Sequence, residues 1–183
     1  NRGDGVLLDG AGTSFNHVSG VWTGFKYFLA ELIEPQSAPN AGNSLRIADG
    51  ANANVIGGVS IVRNNFSNDL QNGVLIEGAD TADNVVRGTD IGHTPYVTRV
   101  NYTSFARQLA GIGQSGIALK SGTGGNLIGS MHTDMRVHIE ASPHAGIDID
   151  ASNDNTVLGC YIGSPIQYIE FGENEKNRIG IHI

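Results

Sequence analysis

Five charged or ionisable side chains stand at two outward positions of a pattern that recurs along the chain, two residues apart. They are Glu77, Lys120, Asp148, Asp150 and His182. Each lies in a short segment of alternating apolar residues, so each is expected to point out from a strand whose neighbouring residues point inward. If strands of successive repeats lie side by side, equivalent residues are about 4.8 Å apart. The five side chains would then share one face of the protein.

Two of these carboxylates have a predicted separation that suits acid–base chemistry. Glu77 and Asp150 would lie two strands apart, about 10 Å between backbones. The lean of the side chains could bring the carboxyl groups to the ~6.5–9.5 Å at which an inverting glycosidase holds a water between acid and base. Lys120, between them, would keep one carboxylate ionised. Asp148 and Asp150 form a closer, second-choice pair.

The same charges also fit a purely structural role. Outward positions of a sheet must be polar, and alternating acid and lysine side chains form an ordinary stabilising ladder. The competing interpretation is therefore a solvated ladder or a subunit interface.

The elements that position these residues follow from a repeat. A strand of the form Gly-apolar-x-apolar, with Ser in place of Gly in one copy, begins at Gly5, Ser44, Gly73, Gly116, Gly146 and Gly180. Five of these strands are followed, 9 to 11 residues later, by Asn16, Asn54, Asn84, Asn126 and Asn155. Such regularity predicts stacked coils that bury their apolar positions against one another.

The asparagine column has a physical reason. Asparagine tolerates the left-handed conformation of a sharp turn, and stacked copies can form a hydrogen-bonded ladder. Later in the coils, third strands are predicted at 59–63, 135–140 and 166–171 from their alternating apolar residues.

Two insertions interrupt the compact repeat, at 21–43 and at roughly 93–115. Loops this long in a compact protein are more often functional than not. Trp22, Tyr96 and Tyr102 are predicted to stack on sugar rings, although the aromatic residues near Trp22 could instead form a small satellite core. Arg99 and Arg107 are predicted to hold a carboxylate or sulfate, with Lys120 and His182 as further substrate contacts.

Composition excludes several classes of function. A net charge of −7 over 183 residues makes nucleic acid a poor partner. No apolar run reaches membrane length, so no membrane insertion is expected. The six histidines are scattered without metal-ligand spacing on one element, so neither a metal nor another cofactor is predicted.

The Gly-apolar-x-apolar strands and the Asn-x-Val/Ile-x-Gly turns resemble those of right-handed parallel β-helices of the pectate-lyase-like class. The resemblance covers essentially the whole chain. It implies an all-β, right-handed single-stranded parallel β-helix of about five to six coils, with long loops on coils one and three. Residues 1–183 would form a single domain, and because neither end resembles a cap, we expect a fragment of a longer chain.

Within this class the chain is most similar in style to phage tailspikes and secreted polysaccharide-active proteins. The resemblance implies recognition and cleavage of an extracellular polysaccharide, at the cell exterior or a virion surface, by a homotrimer. One alternative is a non-catalytic structural or adhesive β-helix. Another is a lyase or epimerase, for which Lys120, Arg87 and Tyr161 could serve as base and charge neutraliser, but no calcium-binding aspartate cluster is visible.

Overall fold

The structure is a computed structural model, and it describes residues 1–26, 36–92, 111–163 and 177–183. In these residues the chain forms strands and two single-turn 3-10 helices, at Ser60–Val62 and Thr133–Met135. We number the strands β1 to β17 in chain order. The prediction of an all-β protein is confirmed.

Three parallel sheets contain most of the strands. Sheet 1 has the order β1 (Val6–Asp9), β5 (Leu45–Ala48), β8 (Val74–Glu77), β11 (Ile117–Lys120), β14 (Ala145–Asp150) and β17 (Ile179–His182). Sheet 2 has the order β2 (His17–Val18), β6 (Val55–Ile56), β9 (Val85–Val86), β12 (Leu127–Gly129) and β15 (Thr156–Leu158). Sheet 3 has the order β7 (Asn64–Phe66), β10 (Thr89–Ile91), β13 (His138–Ile139) and β16 (Tyr161–Ile162).

The chain visits the sheets in turn, and neighbours within each sheet come from successive repeats. This arrangement is compatible with a parallel β-helix. An antiparallel pair, β3 (Gly24–Lys26) and β4 (Gln36–Ala38), lies within the first predicted insertion. No helix of the described residues is long and apolar enough to span a membrane.

The register of sheet 1 is the predicted one. Val74, Ile117 and Ile147 pair across three repeats and are fully buried. Equivalent apolar columns run through sheets 2 and 3, at Ile56–Val86–Ile128 and at Phe66–Ile91–Ile139. These columns meet in one apolar core. Branched aliphatic side chains suit it because they pack well on a pleated, buried surface.

The predicted asparagine ladder is present. From Asn54 onward, each Oδ1 accepts from the backbone N–H and the Nδ2 of the asparagine one repeat earlier, as Asn84 does from Asn54 at 3.1 and 3.0 Å. The left-handed residue, however, is the one before each asparagine. In four of the five turns this is Phe15, Ala53, Asp83 or Asp154, with φ of 58°, 52°, 56° and 55°. The side-chain amide of each asparagine forms the hydrogen bonds of the ladder, and the residue before it adopts the left-handed conformation of the turn.

A second ladder, which the sequence analysis missed, precedes the strands of sheet 1. Asn43 donates from its backbone N and Nδ2 to Asp4 Oδ1 at 2.7 and 2.8 Å. Asn72 repeats both contacts on Asn43 Oδ1 at 3.1 and 3.0 Å, and Ser115 N donates to Asn72 Oδ1 at 3.2 Å. The sequence feature that indicates this ladder is an asparagine directly before the repeated strand pattern, at Asn43 and Asn72.

Two predicted third strands are misplaced. The segment 59–63 is largely a 3-10 helix, and the strand is β7, which begins one residue later. The prediction relied on the alternation of Val59 and Ile61, but Ile61 is 90% exposed, so this alternation does not mark a buried strand face. In 135–140 only β13 is strand, and 166–171 lies outside the described residues.

Candidate functional site

The five charged residues of the repeat occupy outward positions of sheet 1. Asp148 pairs in register with Ala118 on one side and His182 on the other. Lys120 pairs with Glu77 and with Asp150. The structure therefore places all five on the face predicted from the spacing.

Four side chains converge at one point of this face. His182 Nδ1 lies 2.8 Å from Asp148 Oδ1, Lys120 Nζ lies 3.4 Å from Asp148 Oδ2, and His144 Nε2 lies 3.7 Å from the same oxygen. We call Lys120, His144, Asp148 and His182 the Asp148 cluster. The two imidazole rings meet edge to face with their centroids 5.9 Å apart.

Burial within the cluster is uneven. The Asp148 side chain is only 4% exposed, whereas those of Lys120, His144 and His182 are 34%, 47% and 51% exposed. A buried carboxylate costs free energy unless it is paired, and here three cationic or ionisable groups surround it. The cluster is thus a buried carboxylate with exposed imidazoles and an ammonium group around it.

Asp148 is held in its ionised form. Burial alone would raise its pKa, but the hydrogen bond with His182 and the charge of Lys120 outweigh burial and lower the pKa below its usual value. An ionised carboxylate only accepts hydrogen bonds, so the proton of His182 in this contact is on Nδ1.

Glu77 belongs to a different contact. Its Oε1 is 2.7 Å from the Arg46 guanidinium, and the two side chains are 28% and 33% exposed. Lys120 is in register between Glu77 and Asp150 as predicted, yet its ammonium group pairs with Asp148. The structure thus brings Lys120, Asp148 and His182 together and leaves Glu77 paired with Arg46.

Asp150 lies beside the cluster on the same strand. It is exposed, and it stands two residues from Asp148 on the same face of β14. Two residues along a strand span about 6.6 Å. This is a distance between backbones, and two carboxyl groups at the same separation would be at the lower end of the ~6.5–9.5 Å range that an inverting glycosidase uses.

Trp22 is on another sheet. It forms a bridge with Asn65 of β7, and the same column continues through Asp90, His138 and Tyr161. Trp22 and Tyr161 are 49% and 44% exposed. The residues predicted to form one groove therefore divide between sheet 1 and sheet 3.

Sheet 3 carries an ion-pair network that the sequence analysis missed. Arg63 contacts both carboxylate oxygens of Asp90, at 2.9 and 2.5 Å, and His138 Nδ1 lies 3.0 Å from Asp90 Oδ1. The Arg136 guanidinium lies over the ring of Tyr161, 5.0 Å from its centroid. Burial would raise the pKa of Asp90, but His138 and Arg63 lower it to about 2. Arg63 also donates to the carbonyl oxygens of Asp134 and Arg136, which indicates a structural network.

The remaining predicted substrate contacts are Tyr96, Arg99, Tyr102 and Arg107, and they lie outside the described residues.

The sequence analysis also missed a possible set of metal ligands. One donor atom each from His144, Asp148 and His182 lie within 4.8 Å of one another. His144 stands four residues before Asp148, and that spacing was the available signal. The repeat pattern does not indicate this set, because His144 lies before Gly146, where that copy of the pattern begins.

Comparison of the chain with protein-family models, curated proteins and solved structures found no match.

Proposed function

We propose that the protein binds an extracellular polysaccharide along the outer face of sheet 1 and hydrolyses it at the Asp148 cluster. The observation that carries this proposal is the burial of an ionised carboxylate at an outward position, where the sheet requires only a polar side chain. A solvated charge ladder would leave Asp148 as exposed as Glu77. Instead it lies under two imidazoles that face solvent.

The hydrolytic step uses Asp148 and Asp150. Asp148, kept ionised by His182 and Lys120, accepts a proton from water as the water oxygen bonds to the anomeric carbon. Asp150 donates a proton to the leaving oxygen as the glycosidic bond breaks. The exposed His144 and Lys120 contact sugar hydroxyl groups at the rim. Because water attacks from the face opposite the leaving group, the product has inverted configuration.

The wider fold and setting are part of the proposal. The stacked parallel sheets and the asparagine ladder support a right-handed, single-stranded β-helix of the pectate-lyase-like class. By that resemblance the protein acts outside the cell or on a virion, as a homotrimer. Sedimentation equilibrium should give three times the 19.2 kDa chain mass. A monomer at all accessible concentrations would contradict the trimer.

The function is tested in two steps. A glycan array is first used to find a bound polysaccharide, which is then incubated with the protein while reducing ends and the configuration of the product are followed. Hydrolysis predicts new reducing ends without the ultraviolet absorbance of an unsaturated sugar. Absorbing products would instead support a lyase, and a protein that binds no glycan would overturn the proposal.

The non-catalytic alternative has its own supporting observation. The Arg46–Glu77 pair is an ordinary cross-strand ion pair on the same face as the Asp148 cluster. A structural or adhesive protein would bind the glycan and release no reducing ends. The second step of the experiment therefore separates the two functions.

A further inference from the structure

We propose that His144, Asp148 and His182 form a binding site for a divalent transition-metal ion of the Zn²⁺ type. The site uses one nitrogen from each imidazole and one carboxylate oxygen. No other group of three such side chains in the described residues brings its donor atoms this close together.

The spacing of the donor atoms suits such an ion. His182 Nδ1 and His144 Nε2 lie 2.8 and 3.7 Å from the oxygens of Asp148, and all three donors fall within 4.8 Å. A tetrahedral Zn²⁺ with ligands at about 2.1 Å separates them by about 3.4 Å. The two half-exposed imidazoles have room to rotate toward that geometry. His182 must also give up the Nδ1 proton that it shares with Asp148, because a metal ligand is deprotonated at the ligating atom.

The donor types select the class of ion. Imidazole nitrogen and carboxylate oxygen together suit Zn²⁺ and its first-row neighbours, whereas Ca²⁺ and Mg²⁺ prefer oxygen ligands. The two histidines are about half exposed. An ion held here would keep open positions toward solvent, which is typical of catalytic rather than structural zinc sites.

Rigid elements position two of the three ligands. Asp148 and His182 are register partners on β14 and β17, and His144 is four residues before Asp148. The ion would link β17 to β14. Because it would bind the folded arrangement alone, it would also stabilise the protein by mass action.

Lys120 opposes the ion. Its Nζ lies 3.4 Å from Asp148 Oδ2, so a bound ion must compete with an ammonium group that already neutralises the carboxylate. This makes a specific prediction, because replacing Lys120 by an uncharged residue of similar length should tighten metal binding.

The metal site bears on the proposed function without depending on it. With an ion bound, Asp148 is a ligand and cannot act as the free base, and water on the ion would take over that role because the metal lowers the pKa of bound water. Only this role of the metal-bound water in catalysis rests on the proposed function; binding of the ion does not. Zn²⁺ binding without turnover would refute the hydrolase alone, and turnover by a protein that binds no Zn²⁺ would refute the metal site alone.

The test is titration calorimetry of the full, chelator-treated chain with Zn²⁺, with Ca²⁺ as the comparison ion. We expect one Zn²⁺ per chain and no heat of binding for Ca²⁺. His144→Ala and His182→Ala should each weaken Zn²⁺ binding at least about tenfold. Removing a residue that only hydrogen-bonds to a metal ligand already weakens binding about 10- to 100-fold, and removing a ligand itself should cost at least as much. His132→Ala is the matched control, since His132 is exposed and outside the Asp148 cluster.

Circular dichroism checks that each variant is folded, and absorbance checks which atoms bind the ion. Variants that retain the far-ultraviolet spectrum are folded, and Co²⁺ in place of Zn²⁺ reports nitrogen and oxygen ligation in the visible range. Lys120→Met should bind Zn²⁺ more tightly than the natural chain. Equal affinity in the natural chain and His144→Ala, unchanged or weaker binding by Lys120→Met, or no binding at all would overturn the site.

Discussion

Asp148 and Glu77 show how two acidic residues at outward positions of one sheet reach different states. Glu77 meets Arg46 and stays partly exposed, whereas Asp148 is covered by His144, His182 and Lys120. The placement of both on one face could be predicted, because register fixes backbone positions about 4.8 Å apart. The choice of partner could not, because it depends on side-chain rotamers that the repeat does not specify.

Asp90 on sheet 3 gives a prediction at the residue scale. Its pKa is about 2 in the folded protein, below the ordinary value of 3.8 for an aspartate. A carboxyl with a lowered folded-state pKa adds stability above its unfolded pKa and loses it as pH falls through the folded pKa. The lowered pKa corresponds to about 2 kcal/mol of folding stability at neutral pH. The side chain is only 19% exposed, so screening by solvent reduces this figure little.

The measurement compares the natural chain with Asp90→Asn by denaturant unfolding at several pH values. The variant should be less stable at neutral pH, and most of the difference should vanish between pH ~4 and ~2. Asp80→Asn is the control, because Asp80 is exposed and its side chain makes no hydrogen bond or ion pair within the described part of the chain. A difference that stays constant down to pH ~2 would contradict the ionised pair.

At the scale of elements, sheets 1 and 2 could be predicted from the sequence and sheet 3 could not. Sheet 1 strands follow a Gly-apolar-x-apolar pattern, and the asparagine marks the entry to sheet 2. The strands of sheet 3 are two or three residues long, and two of them follow 3-10 turns that also carry apolar residues. Alternation over so few residues cannot separate a buried strand from an exposed turn.

The asparagine ladder gives a prediction at this scale. Asn84 is fully buried, accepts two hydrogen bonds from Asn54 and donates to Asn126 Oδ1 and Ala51 O. Its replacement by alanine leaves several buried polar atoms without partners, at ~1–3 kcal/mol each before relaxation. We expect Asn84→Ala to lower the free energy of unfolding by about 3 kcal/mol.

Asn16→Ala is the matched control, because Asn16 is exposed and only donates to the ladder, at Asn54 Oδ1. Its cost should stay below about 1 kcal/mol. Equal losses for the two variants in urea unfolding would mean that burial of the ladder does not determine its contribution.

At the scale of the whole molecule, the repeat predicts architecture well and activity poorly. The inward apolar residues and the asparagines are set by stacking, so the same residue types recur from repeat to repeat and carry no functional information. Information about function is confined to outward residues that differ between repeats. Among the described residues, several of these meet around a carboxylate at Asp90 on sheet 3 and in the Asp148 cluster, and Asp148 is the more buried of the two carboxylates, at 4% exposed against 19%.

The most direct test of the hydrolase is the initial rate of reducing-end release from a bound polysaccharide by Asp148→Asn. Asp9→Asn, at the far end of the same outward face, is the matched control. We predict that Asp148→Asn and Asp150→Asn each lower the rate at least about 100-fold, as expected for loss of an acid or base, while Asp9→Asn keeps it. Full activity of folded Asp148→Asn, with activity lost in Glu77→Gln instead, would contradict the assignment of catalysis to the Asp148 cluster.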